Sequence, residues 1–249
     1  MAHVRCDFRS EVMEMNTSMT VVLPEGTALE ERPVVYLLHG LEDNCTGWAR
    51  YTSVERYARE HQAALVIPEA QRSWYADMRT GLPYFRFVHD ELPALCRRFF
   101  RFSAAREKNY VMGLSMGGYA ALRCALQTPE RYAGVAAFSA VTDLPRRVAR
   151  AEGRLRGEFA AIFGPELSVP EDCDLFALAE RADAARLPEI YLACGEQDEL
   201  CPDVERFAAA LAERGAPVRF EGWNGGHDWG FWDGAARRAF DRMWKDGGA

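Results

Sequence analysis

Residues 109–122 read NYVMGLSMGGYAAL, and few folds accommodate that run. NYVMG has the apolar content of a buried strand, YAALRCAL has the spacing of a helix, and only a tight turn fits between them. A serine at the apex of such a turn, here Ser115, adopts a strained backbone conformation, and its neighbours two positions away come very close to it. Glycine at both flanks, Gly113 and Gly117, removes the side chains that would collide. The turn raises the hydroxyl above the sheet edge. It also aims the amide of Met116, at the helix N-terminus, at an oxyanion formed on an attacked carbonyl. Glycine-rich turns are common, so G-x-S-x-G by itself leaves a plain turn serine as the alternative. Its place between a strand and a helix favours a nucleophile.

A nucleophile on this turn is followed along the chain by an acid and then by a histidine. Of His3, His39, His61, His89 and His227, only His227 lies after Ser115. It stands in NGGHDWGFW, a glycine-flanked loop at the carboxyl end of an expected strand, where a general base can be presented. The acid is expected in CGEQDEL, after the preceding strand: Asp198 is the choice and Glu196 the reserve. Asp228 adjoins the base, and neighbouring side chains on a loop rarely face each other. The second oxyanion donor is expected from YLLHGLEDNCTGW, where His39 and Gly40 close a strand and the amide of Leu41 follows. His39 itself is expected to pack beneath that loop.

Short apolar runs alternate with longer amphipathic stretches along the rest of the chain, the pattern of a mostly parallel central sheet flanked by helices. The α/β reading is a single domain over 1–249, with strands at 33–38, 63–68, 109–113, 134–139, 189–194 and 217–222. MTVVLP (19–24) alternates and is placed antiparallel at one edge. Helices are expected over 53–61, 89–102, 116–128, 202–215 and 231–244. Residues 141–187 exceed an ordinary connection and are read as a helical insertion, a cap or lid, before the acid-bearing strand. The alternative is a pair of ordinary surface helices.

Composition narrows the partners. The formal net charge is −7, and arginine-rich LPRRVARAEGRLR reads as a solvated face, so neither nucleic acid nor an anionic membrane is expected. No stretch approaches the ~18 apolar residues of a membrane span, and the chain opens without an apolar leader. Seven cysteines are spread along the chain with no C-x-x-C pair and no cluster of metal-ligand spacing. No metal or organic cofactor is expected, and free thiols fit a cytoplasmic setting. The expected partner is a small-molecule ester, with a homo-oligomer left open.

Together HGLEDNCTGW, SWYADM, ELPALCRRFF, GLSMGGYAAL, CGEQDEL and GGHDWGFW resemble the esterase D-like group of α/β-hydrolases, nearest to its bacterial tributyrin esterase and acetyl esterase branch. FRSEVMEMNTSMTVVLPEG is similar to the N-terminal strands of that branch, so the likeness covers almost the whole chain. The resemblance implies an α/β-hydrolase fold and a serine carboxylic-ester hydrolase acting on short-chain acyl esters. It implies Ser115 as nucleophile, His227 as base, Asp198 as acid, the amides of Leu41 and Met116 as oxyanion donors, and the insertion lying over the acyl pocket. The group also holds S-formylglutathione hydrolases, feruloyl esterases and mycolyltransferases, so a thioesterase and a feruloyl or carbohydrate acetyl esterase are the alternatives. S-formylglutathione hydrolases carry a Leu-Thr-Cys run in the oxyanion loop; LEDNCTGW displaces the cysteine and disfavours that activity. Gly40, Trp48 and Trp74 are placed at the substrate pocket, and Trp229 and Trp232 are expected to fix the base loop by packing. A non-catalytic binder is disfavoured by the complete triad, and an exported acyltransferase by the polar start.

Overall fold

The computed structural model describes residues 1–25 and 28–243. An antiparallel pair, β1 (Ala2–Ser10) and β2 (Met15–Leu23), opens the chain. It is followed by β3 (Val34–Leu38), β4 (Ala64–Pro68), β5 (Asn109–Leu114), β6 (Gly134–Phe138), β7 (Glu189–Gly195) and β8 (Val218–Trp223). The sheet order is β1-β2-β4-β3-β5-β6-β7-β8, parallel from β4 to β8 and antiparallel where β2 meets β1 and β4. β3 to β6 are buried along their whole length, as strands covered on both faces must be, and so, apart from Asn109 at the start of β5, they read as apolar runs. The MTVVLP run pairs antiparallel, yet it is not the edge strand, because β1 lies outside it. Exposed, mostly charged residues alternate along β1 with half-buried ones (Val4, Cys6, Phe8), so one face is open and the other only half-covered, and the strand does not stand out as an apolar run.

The helices are α1 (Gly47–Tyr51), α2 (Val54–Glu60), the single turn α3 (Tyr84–Arg86), α4 (Leu92–Phe100) and α5 (Met116–Gln127). Then come α6 (Leu144–Ala149), α7 (Gly153–Phe163), α8 (Leu175–Arg181), α9 (Cys201–Glu213) and α10 (Trp229–Met243). Trp244, the last residue of the expected final helix, lies outside the described residues. The segment expected as one helix over 89–102 starts earlier, at α3, and passes through a wider π turn over Phe87–Glu91 before α4. Pro93 has no N–H to return to the preceding turn. The His89 carbonyl takes a hydrogen bond from Arg131 instead, at 2.9 Å.

Alternate residues of each strand feed two apolar layers. Val35, Leu37, Met112 and Phe138 pack with Trp48, Val54 and Phe240 on the side of α2 and α10. Val34, Tyr36, Leu38 and Val111 pack with α4, α5 and α9 on the other. Phe159, Ile162, Leu175 and Leu178 of the 141–187 segment join that second layer, so the segment is packed into the core through α7 and α8. The amides of Arg79 and Thr80 bind the carbonyls of Ile162 and Ala161 and tie the end of α7 to the loop that precedes α3.

Candidate active site

The junction of β5 and α5 determines the rest of the site. Ser115 has φ 51° and ψ −116°, a strained region for a residue with a side chain, which costs on the order of 1–3 kcal/mol. Two backbone hydrogen bonds hold it there: its amide donates to the Phe138 carbonyl at 2.8 Å, and its own carbonyl accepts from the Tyr119 amide at 3.0 Å. A Cβ on Gly113 would stand 2.2 Å from the Gly117 carbonyl oxygen, and one on Gly117 would stand 2.3 Å from that of Leu38. Only glycine permits these approaches, and they bring the first turn of α5 against the end of β3. Gly40 comes close as well: a Cβ there would lie 3.8 Å from that of Ser115. The amides of Leu41 and Met116, one from each side of this junction, donate to no carbonyl among the described residues.

Two further loops converge on the serine. His227 Nε2 is 3.1 Å from Ser115 Oγ, and His227 Nδ1 is 2.8 Å from Asp198 Oδ2. The loops carrying His227 and Asp198 interlock, with the Gln197 amide donating to the Gly225 carbonyl at 3.0 Å and the Gly225 amide to Gln197 Oε1 at 2.7 Å. The Asp198 side chain is fully shielded from solvent, whereas that of His227 is 37 % exposed. Burial alone would push the Asp198 carboxyl up. Hydrogen bonds from His227, the Leu200 amide and Ser139 outweigh it and hold the carboxyl below its ordinary value. Glu196 is exposed, and Asp228 accepts from the Phe231 amide at 3.0 Å, which starts α10.

Ser139 is a member of this constellation that the sequence reading passed over. It follows β6, is fully buried, and holds a left-handed φ of 46°. Besides facing Asp198, its hydroxyl accepts the indole N–H of Trp232 at 3.1 Å, and the Trp232 ring meets His227 edge-on at 4.9 Å. Its one legible sign is position: it is the first residue after the strand next to β5.

A serine hydroxyl, an imidazole and a buried carboxylate joined in that order suit acyl transfer through an activated oxygen nucleophile. Residues 10–242 match the model of the Esterase family. The chain belongs to that family. The esterase is 30% identical over 264 residues to the acetyl esterase of Caldicellulosiruptor saccharolyticus, covering 98% of this chain and 99% of the relative. Among solved structures it is similar to FphF, a fluorophosphonate-binding serine hydrolase of Staphylococcus aureus (TM-score 0.91, 32% identity, 98% of this chain and 99% of that one). It is also similar to the S-formylglutathione hydrolase FrmB of Staphylococcus aureus (TM-score 0.86, 32% identity, 97% and 98%). The architecture is an α/β-hydrolase fold, and the protein is a serine esterase that hydrolyses carboxylic esters. Among the described residues no helix is long and apolar enough to cross a membrane.

Two of the esterase's other expected residues, Trp48 and Trp74, take different places. Trp48 does not line a pocket: it is fully buried between α1 and the sheet, with its indole N–H on the Leu38 carbonyl at 3.0 Å and its ring against Phe138 and Trp229. Trp74 is only 2 % exposed and packs on Phe159 of α7, with its centroid 4.9 Å away. Large aromatic area draws both into the core. His39 is fully buried; its Nε2 accepts from the Ala70 amide at 3.0 Å and its Nδ1–H donates to the Gly40 carbonyl at 2.7 Å. Burial lowers its pKa and favours the neutral ring. Arg72 bridges the 141–187 segment to the expected oxyanion loop, binding Glu158 of α7 at 2.8 and 3.0 Å and the Leu41 carbonyl at 3.3 Å.

Proposed function

We propose that Ser115, His227 and Asp198 are the catalytic triad of this esterase, and that its substrates are small esters with short acyl groups. The carrying observation is the unbroken chain from Ser115 Oγ through the imidazole to Asp198, at 3.1 and 2.8 Å. Ser115 Oγ attacks the ester carbonyl carbon while His227 Nε2 takes its proton. Asp198 accepts the Nδ1–H and stabilises the imidazolium that forms. The amides of Leu41 and Met116 receive the oxyanion. Collapse expels the alcohol, which takes the proton from His227. A water molecule then gives a proton to His227 and attacks the acyl-enzyme, and collapse releases the acid as His227 returns that proton to Ser115 Oγ. Neither step draws on a metal or an organic cofactor.

The acetyl esterase relative supports a short acyl group. The segment 141–187 is the cap in this reading, supported by its bond through Arg72 to the Leu41 loop. Seven free thiols support a reducing, cytoplasmic setting. A second reading, a thioesterase acting on S-formylglutathione, is favoured by the likeness to FrmB at 32% identity. One experiment separates the two: hydrolysis of p-nitrophenyl esters from acetate to decanoate, with S-formylglutathione alongside, by wild type and Ser115→Ala. Rates that peak at the shortest chains and vanish in the variant are expected. Fast thioester cleavage with weak ester turnover would put the second reading first.

A further inference from the structure

Two buried polar atoms without a hydrogen-bond partner among the described residues, Thr142 Oγ1 and Arg147 Nε, belong to side chains lining one cavity. It encloses about 230 Å³ between the loop after β6, α6 and the loop after β7. Its walls begin next to the triad: the Val141 amide donates to the Ser115 carbonyl at 3.4 Å, and the Leu200 amide to Asp198 Oδ1 at 3.0 Å. The arginine-rich stretch read from sequence as a solvated face contributes Arg146, Arg147 and Arg150 to it.

The lining holds three arginines and three carboxylates, but they do not pair one to one. Asp143 is held by Arg206, and Asp203 by Arg146 and Arg206. Arg147 meets Glu199 at 3.4 Å, and that carboxylate is 77 % exposed. Arg150 forms no ion pair among the described residues. Arg206, from outside the lining, thus shares two of the three carboxylates and leaves Arg150 without one. Thr142 is fully buried, and a buried hydroxyl or guanidinium N–H without a partner is costly until an acceptor meets it. The complement of such a lining is a small anion with several acceptor oxygens. A carboxylate matches the guanidinium fork.

We propose that this cavity is a subsite for a carboxylate carried by the ester substrate, so that the enzyme prefers short esters of acidic compounds to neutral ones. The proposal rests on Ser115 being the nucleophile. A space of about 230 Å³ holds a carboxylate on a short arm and is too small for a whole drug-sized ligand.

The test uses substrates matched in shape. On the acyl side, mono-p-nitrophenyl adipate is compared with p-nitrophenyl hexanoate. On the alcohol side, 4-acetoxybenzoate is compared with 4-acetoxybenzamide. The readout is the charged-to-neutral ratio of kcat/KM within one enzyme preparation, which cancels any loss of folded protein. In one arm the wild-type ratio is expected to be about tenfold above one, the size of a charge-assisted contact discounted for solvent. It should fall toward one in the double variant Arg147→Gln/Arg150→Gln, and also when NaCl rises from about 0.05 to about 0.5 M. The arm that responds assigns the carboxylate to the acyl or the alcohol side. Wild-type ratios at or below one in both arms, with neutral esters cleaved in a Ser115-dependent way, would overturn the subsite and leave the triad standing. Turnover of all four esters that persists in Ser115→Ala would overturn the triad, and the subsite with it.

Discussion

Three hydrogen-bond donors converge on Asp198, and one of them is the imidazole that it orients in the proposed triad. Asp198→Asn is expected to leave the fold intact and to lower kcat by about 10⁴, since an amide cannot hold the ring in the required tautomer. Steady-state kinetics beside a circular dichroism spectrum checks both halves. The same carboxyl carries a pH signature. Its folded pKa is depressed, so its contribution to stability is complete above the unfolded value of about 3.9 and is lost as pH falls through the lower folded value. The difference in urea unfolding free energy between wild type and Asp198→Asn should therefore be flat above about pH 5 and should shrink in acid. A difference that grew toward acid would contradict the depressed pKa. Ser139 belongs to the same scale, because it lends Asp198 one of its donors while accepting the Trp232 indole.

At the scale of elements, the strand–turn–helix junction is where sterics are least forgiving. Gly117→Ala puts a methyl 2.3 Å from a backbone carbonyl that cannot move without displacing β3. A cost of about 1–3 kcal/mol is expected, in the range of overpacked cores, together with loss of esterase activity. Urea titration of the variant measures the cost, and an unchanged midpoint would count against so tight an elbow. Much of this scale was legible in the sequence. β3 to β6 are shielded on both faces, so their residues are apolar apart from the hydrogen-bonded Asn109 that opens β5, and the elbow glycines are forced by contact. What stayed hidden depends on neighbours distant in the chain. β1 has one exposed face and one half-buried face, and its charged residues make it read as polar. Trp48 becomes a core residue because α1 folds it beneath the sheet. Arg146, Arg147 and Arg150 come to line one cavity only because α6 is set beside the loop after β7.

For the molecule as a whole, the two apolar layers share one sheet, and the 141–187 segment contributes Phe159, Ile162, Leu175 and Leu178 to one of them. A segment anchored in that way should not melt separately from the domain. Far-UV circular dichroism and tryptophan fluorescence are expected to give coincident urea transitions. An early transition in one probe would instead mark the segment as an independent unit. Every layer of this architecture converges on one oxygen atom, Ser115 Oγ, and the most direct test addresses it alone. Wild-type enzyme is treated with a fluorophosphonate and digested, and the adduct is located by mass spectrometry alongside ester turnover. A single adduct per chain on the peptide containing Ser115 is expected, with turnover falling in step, and with neither adduct nor turnover in Ser115→Ala. Ester hydrolysis that survives in Ser115→Ala, with the adduct on another residue, would contradict the assignment of Ser115 as the nucleophile.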